Sequence, residues 1–319
     1  MQSEPQILEA VVPQLLTGMR LDQALSQLFD QYSRARLKQW IQSGRVTVEQ
    51  QQRKPKDKVY TGENIVVRVE AEVEVVWQPE NIPLNIIFED DEIIVINKPV
   101  GMVVHPAPGH PNGTLCNALL HHVPNAVNLP RAGVVHRLDK DTSGITVVAK
   151  TLSAHCYLVE QLQARDIARE YIALVQGEMT AGGTVDAAIG RHKVDRKRMA
   201  VRGDLDSGAK HAVTHYRIRQ RYQAYTLLDV KLETGRTHQI RVHMAHIHYP
   251  IVGDPVYGGR VRIPKQSTDS MRDAIQQFKR QALHAHQLTL SHPVTKEQMQ
   301  WQAPLADDIQ QLLAQLEPL

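Results

Sequence analysis

Val135-His-Arg-Leu-Asp-Lys-Asp-Thr-Ser-Gly144 is a polar stretch between two apolar runs, Gly133-Val-Val135 and Ile145-Thr-Val-Val-Ala149. It gathers two carboxylates, three basic or titratable groups and two hydroxyls. The flanking runs read as strands, and a loop carried by a rigid sheet is a common seat for catalytic groups. Upstream, Ile86-Ile-Phe-Glu-Asp-Asp-Glu-Ile-Ile-Val-Ile96 predicts two strands around an acidic turn, closed by Asn97-Lys-Pro-Val-Gly101. A long Pro- and Gly-rich loop follows, then a helical segment from Asn117 to His122. Downstream, residues 153–168 predict a helix, and strands are expected at Tyr171–Val175, Ala212–Ile218, Tyr225–Leu232 and Leu283–Leu290. Many strands with tight turns and few helices indicate an α+β protein built on a mixed sheet.

The chain has 319 residues, enough for about two domains. Hydrophobic residues make up 42% and charged residues 22%, as in ordinary globular chains. There is no run of about 18 apolar residues, so no membrane span is expected. The N-terminus carries Glu4 and Glu9 without a basic leader, so no secretory signal is expected. Two cysteines, Cys116 and Cys156, cannot form a disulfide framework and fit a reducing cytoplasm.

The net charge of +3 hides strong local bias. Arg20 to Lys58 holds nine basic residues against four acids, and Glu63 to Glu92 holds nine acids against Arg68. A second basic run comprises Arg191, Lys193, Arg196, Lys197, Arg198 and Arg202. Two basic clusters suggest a polyanion touched at two places; solvated faces are the plainer alternative. In the first cluster, Leu21, Ala24, Leu25, Leu28 and Phe29 mark one face of an amphipathic helix. Ser33 is a candidate cap for a second helix with Leu37, Trp40 and Ile41 inward and Arg34, Arg36 and Lys38 outward. Gly44 fits its C-terminal stop. Short strands are expected at Arg45–Val48, Lys58–Tyr60 and Ile65–Val69, and residues 70–85 read as an extended linker.

Three chemistries fit the central loop. Asp139-Lys-Asp141 has the spacing of an aspartyl phosphatase motif, but Ser143 and a following strand break that pattern. His238, His243, His246 and His248 lie close in sequence, yet no zinc signature is present. The third chemistry is an aspartate acting on a nucleoside. Here His136-Arg-Leu-Asp-Lys-Asp-Thr-Ser-Gly144 resembles the central motif of the RluA family of pseudouridine synthases. Further blocks appear in the family's order: Asn97–Gly101 with Val104-His-Pro106, Arg169-Glu-Tyr171, Leu232–His243, Gly253-Asp-Pro-Val-Tyr-Gly258 and Ala282-Leu-His-Ala285. The resemblance spans roughly residues 85–305, and residues 18–70 resemble the S4 RNA-binding module.

This resemblance implies an α+β fold. A mixed, mainly antiparallel sheet would form the catalytic domain over 86–316. A small S4-like α/β domain would occupy 18–75, with a linker at 76–85. The activity implied is isomerisation of uridine to pseudouridine in large-subunit ribosomal RNA, with the target base flipped out. By the same resemblance Asp139 is the catalytic carboxylate, acting at the sugar carbon or the base ring. Arg241 is its ion-pair partner, and Tyr171 stacks on the base and serves the late proton removal. Arg137 enters the vacated RNA stack; its plainer alternative is an ion pair with Asp141. His136, Lys98, Arg236 and His238 are expected to contact substrate, with packing against the site as the alternative for Lys98, and Arg34, Arg36, Lys38 and Arg45 to contact RNA in the S4-like module. No redox change occurs and no external atom enters, so neither cofactor nor metal is expected. The expected partner is a structured rRNA stem-loop, free or in an assembling large subunit. The protein is expected to be a cytoplasmic monomer with no membrane association.

Overall fold

A computed structural model describes all residues except 1–5, 31, 33, 70–76, 108, 196–197, 204–207 and 265–266. The chain forms two compact units, Met1–Val76 and Trp77–Leu319. Ser33, the first half of the expected linker, and Arg196 and Lys197 lie outside the described residues.

The first unit runs β1 (Gln6–Val11), α1 (Leu21–Leu28), α2 (Arg34–Gln42), β2 (Val46–Val48), β3 (Gln51–Gln52) and β4 (Asn64–Val69). Its sheet has the order β1-β4-β2-β3, all antiparallel. Leu21, Ala24 and Leu25 of α1 and Leu37, Trp40 and Ile41 of α2 share one core with Val46, Val48, Ile65 and Val67. The helical period therefore brings the apolar faces of both helices onto one side of the sheet. β1 has no counterpart in the sequence reading. Its residues Ile7 and Val11 are exposed while Leu8 and Ala10 pack on the core, so apolar residues fall on both faces and no two-residue period appears. Lys58 forms a single bridge to Arg20 instead of the expected strand.

The second unit contains β5 (Ile86–Glu89), β6 (Ile93–Lys98), α3 (Leu115–His122), β7 (Ser143–Ala149), α4 (Leu152–Ala164), β8 (Ala168–Gln176), β9 (Gly183–Asp186), β10 (Ile189–Arg191) and β11 (Met199–Val201). It continues through β12 (Val213–Tyr222), β13 (Tyr225–Leu232), α5 (Gln239–His246), α6 (Asp269–Gln277), β14 (Leu283–Ser291), β15 (Gln298–Gln302) and α7 (Asp307–Ala314). Nine strands form one sheet in the order β5-β6-β7-β14-β8-β13-β12-β9, with β15 paired to β14. β7–β14 is parallel and its other pairs are antiparallel. Alternation on β6 and β7 explains their unbroken apolar runs. Ile93, Val95 and Val147 enter one core with Leu158 of α4 and Ile240 of α5; Ile94, Ile96 and Val148 enter another with Leu115 and Leu119 of α3. The sheet is thus covered on both faces at these strands.

One expected strand is replaced. Gly133 ends a short 3-10 segment, and of Gly133-Val-Val135 only Val134 bridges to the sheet, opposite Val148. Arg131 and Ala132 just before it sit in the left-handed region, at φ 52° and 53°, and turn the chain out of strand geometry. The second half of the expected linker, residues 77–85, carries no regular element. Trp77 and Leu84 pack against the α3 core, and the Glu80 carboxylate accepts from the Gly113 N–H.

Candidate active site

The central loop enters β7 where that strand meets β14. His284 and Ala285 pair with Ser143 and Gly144 there. Gly144 has φ +111°, and a Cβ on it would lie 2.1 Å from the Ala285 carbonyl oxygen. Glycine is therefore required for the parallel strands to close, and closure aims the preceding loop. The Ser143 hydroxyl meets His284 Nδ1 at 2.9 Å, and the Gln281 amide donates to the Thr142 hydroxyl at 3.1 Å. Two buried cations hold the loop backbone from below. Lys98 Nζ donates to the carbonyls of Pro99, Met102 and Lys140 at 2.8, 3.1 and 3.1 Å. Arg280 donates to the Asp141 carbonyl at 3.2 Å while gripping Asp308 in a two-pronged ion pair.

Asp139 emerges from this loop with its side chain 18% exposed. Its Oδ2 accepts from Arg241 Nη1 at 2.9 Å. The other edge of that guanidinium is fixed: Nε and Nη2 donate to the two oxygens of Asp254 at 2.7 and 2.9 Å. Asp254 also accepts from the backbone N–H groups of Val256 and Tyr257, and its side chain is fully buried. Burial opposes the Asp254 charge, but Arg241 and these N–H groups hold its carboxyl below the usual range. Arg241, though buried, is held above its ordinary value by Asp254 and Asp139. The result is a row of charges, Asp254–Arg241–Asp139, in which the two buried members, Asp254 and Arg241, cannot turn away. The Tyr257 ring lies under the guanidinium at 5.1 Å, and its hydroxyl meets His238 Nδ1 at 2.9 Å. His238 Nε2 faces Asp139 Oδ1 at 3.8 Å.

Asp139 and Arg241 line a cleft of about 580 Å³. Arg137, His136, Tyr171, Arg236 and His238 line it as well. Tyr171, on β8, is buried; burial lifts its phenol above the ordinary value, Arg169 opposes this and Asp139 adds to it. The His136 ring accepts the Val147 N–H at Nε2, so its ring proton sits on Nδ1. Burial and Arg169 push its pKa down to about 3, which keeps it neutral.

Residues 92–246 match the RNA pseudouridylate synthase family, and residues 19–65 match the S4 domain. The chain is 55% identical over 307 residues to the ribosomal large subunit pseudouridine synthase D of Pseudomonas aeruginosa, covering 96% of this chain and 95% of that one. The Escherichia coli K12 protein of the same name is 52% identical, with 96% and 93% covered. This chain belongs to the RNA pseudouridylate synthase family. It is an RNA-modifying isomerase with an S4 domain at its N-terminus. Human RNA pseudouridylate synthase domain containing 4 has a similar structure, with a TM-score of 0.57 at 25% identity, covering 73% of this chain and 94% of that one.

Within this pseudouridylate synthase, Lys98 departs from its expected place among substrate contacts. It is fully buried and all three of its N–H bonds go to carbonyls, so it braces the loop from behind; burial pulls its pKa down to about 8 against the pull of Asp141 and Asp139. Arg137 is exposed at the cleft and not paired with Asp141. His243 spends both nitrogens within the fold, on the Thr214 hydroxyl and the Ala187 carbonyl. Among the described residues no group of three or more His, Cys, Asp or Glu side chains is placed to hold a metal. In the S4 unit, Arg34 shares Asp22 with Arg20, Arg36 lies over the Tyr32 and Trp40 rings, Lys38 is exposed and Arg45 is half-buried. No described helix is long and apolar enough to cross a membrane. The sequence reading assigned no role to Asp254 or Arg169. Both stand inside the quoted blocks, Gly253–Gly258 and Arg169-Glu-Tyr171, and that was their only signal.

Proposed function

We propose that this synthase converts specific uridines of large-subunit (23S) ribosomal RNA to pseudouridine, with Asp139 as the carboxylate that acts on the nucleoside. The N1–C1′ bond breaks with its electron pair staying on uracil, the ring turns, and C5 bonds to C1′. The C5 proton leaves and N1 regains one, so atoms and charge balance without a cofactor. Asp139 works as an anion at the sugar carbon or the base ring, fixed by Arg241. Tyr171 offers its ring to the flipped base and its hydroxyl to the C5 proton. In the free protein that phenol is neutral. Once the Asp139 charge is consumed in a bond to the nucleoside, one influence holding the Tyr171 proton disappears while Arg169 continues to favour the phenolate.

Arg137 fills the stack that the base leaves, and His136, Arg236 and His238 line the seat. Arg34, Arg36, Lys38 and Arg45 contact backbone phosphate in a stem-loop, on free RNA or on the assembling subunit. The protein acts as a cytoplasmic monomer. The single observation that carries this reading is the row Asp254–Arg241–Asp139 ending in a cleft beside Tyr171. Mapping pseudouridine in total rRNA with and without the protein tests it. Loss at discrete large-subunit positions is expected; an unchanged map contradicts it.

A further inference from the structure

One buried cation of the cleft acts on Tyr171 by charge alone and leaves most of its hydrogen-bonding capacity unspent. Arg169 lies two residues before Tyr171 on β8, so both side chains leave the same face of the strand. Arg169 is 8% exposed, yet the one hydrogen bond of its guanidinium is a long one, Nη2 to the Glu233 carbonyl at 3.4 Å. Its Nε is buried with no partner, and the residue lines the cleft. A buried guanidinium left this bare is costly unless a ligand completes it.

No carboxylate of the cleft is free to serve it. Asp139 is taken by Arg241, and the two Glu233 oxygens are taken by His215 at 2.7 Å and Arg165 at 2.9 Å. The nearby charge is of the same sign: Arg236 works against the Arg169 proton, with the Tyr171 phenol partly offsetting burial. Arg236 itself gives only Nε, to the His211 carbonyl at 3.0 Å. Gly235 is fitted to this arrangement. A Cβ there would stand 2.7 Å from Arg169 Nη1, so a side chain at residue 235 would push the guanidinium from its place.

We propose that Arg169 and Arg236 form an anion seat that receives a phosphodiester flanking the target uridine. This deepens the function proposed above and rests on it. Two adjacent guanidiniums with no acid between them match an anion that accepts at several oxygens, and the planar fork of arginine suits a phosphate. Before reaction the uracil and ribose are neutral, so the phosphodiester is the only fully charged part of the target nucleotide. Seating it beside Tyr171 would fix the extracted nucleotide against Asp139 and hold it while the base is detached.

The test combines Arg169→Ala with stem-loop RNAs carrying an uncharged methylphosphonate at the 5′ or the 3′ linkage of the mapped target uridine. Single-turnover conversion is measured for the wild-type protein and the variant. A charge-assisted contact of this kind is worth roughly ten- to a hundredfold. The wild-type protein should lose that factor at one of the two linkages, Arg169→Ala should lose it on ordinary RNA, and the two losses should not multiply. Multiplying losses at both linkages would overturn the seat. Arg169→Lys, which keeps the charge without the fork, should retain part of the discrimination between the two RNAs. Gly235→Ala should mimic Arg169→Ala while leaving its melting temperature within the wild-type range, and both serve if Arg169→Ala fails to fold. Wild-type conversion of ordinary RNA separates the claims: none at all contradicts the proposed function. RNA affinities measured in parallel carry the same comparison of linkages and decide the seat without reference to conversion.

Discussion

Arginines are used in opposite ways in the cleft and on helix α2. Arg241 has a side chain 5% exposed and is locked to two carboxylates, while Arg34 is 54% exposed and leans on Asp22 alone. A buried, multiply bonded guanidinium holds one geometry and cannot exchange partners without a large penalty. An exposed ion pair contributes little and is readily exchanged for a phosphate. A fixed arrangement suits the carboxylate proposed to react, Asp139, and an exchangeable one suits the RNA contact proposed for α2. A second contrast follows the same division. All 16 histidines lie in the second unit and none in the first.

The contrast breaks if Arg241 proves dispensable. Arg241→Gln leaves Asp254 buried without its cation, and removing one partner of such a pair costs about 3–5 kcal/mol. We expect a lower urea midpoint together with a loss of conversion of about 10²–10³-fold; near-normal values for both would refute the fixed row of charges. The next effect concerns acid. Burial pulls the His284 pKa from 6.5 down to about 4, helped by His286 and Arg280 against the Ala303 carbonyl and Asp308. Its folded pKa lies below its unfolded one, so the unfolded chain binds the proton first. Stability is full above pH 6.5 and falls as pH drops to about 4, by about 3 kcal/mol. The second unit should show this loss and the histidine-free first unit should not. His284→Gln should reduce the slope while His136, pushed down to about 3, keeps part of it, and an unchanged slope counts against the assignment.

Smaller effects are expected on α2. Lys38→Glu should weaken RNA binding by about tenfold and reduce the salt slope by about one charge, with single-turnover conversion at saturating protein unchanged. Deleting residues 1–75 should weaken binding further and leave the chemistry intact. A strong chelator should change neither binding nor conversion; loss restored by zinc would instead implicate the histidines near α5.

Much of the architecture was readable because period and composition agree with it. The α1 and α2 faces, the 86–96 hairpin and the strands around residues 145, 172 and 228 follow from alternation or helical spacing. What escaped depends on tertiary context. Gly133-Val-Val135 has strand composition, but the left-handed residues before it are invisible in a propensity. Asp254, before a proline, looks like a turn former, and only the fold shows it buried behind Arg241, 13 positions away. Lys98 is expected among the substrate contacts, since lysine is almost never fully buried unless paired; carbonyls of the 99–102 turn and of Lys140 make the exception. Asp139 and Arg241 are 102 positions apart, so only the family resemblance could join them beforehand.

The account rests on the charge of Asp139 acting on the nucleoside, and Asp139→Asn tests this with the least disturbance. The amide keeps the shape of the side chain and removes its charge. With a stem-loop RNA containing a mapped target uridine, the variant should bind RNA as the wild-type protein does and lose conversion by about 10⁴-fold or more. Pseudouridine formed at the wild-type rate by the Asn variant would contradict the account.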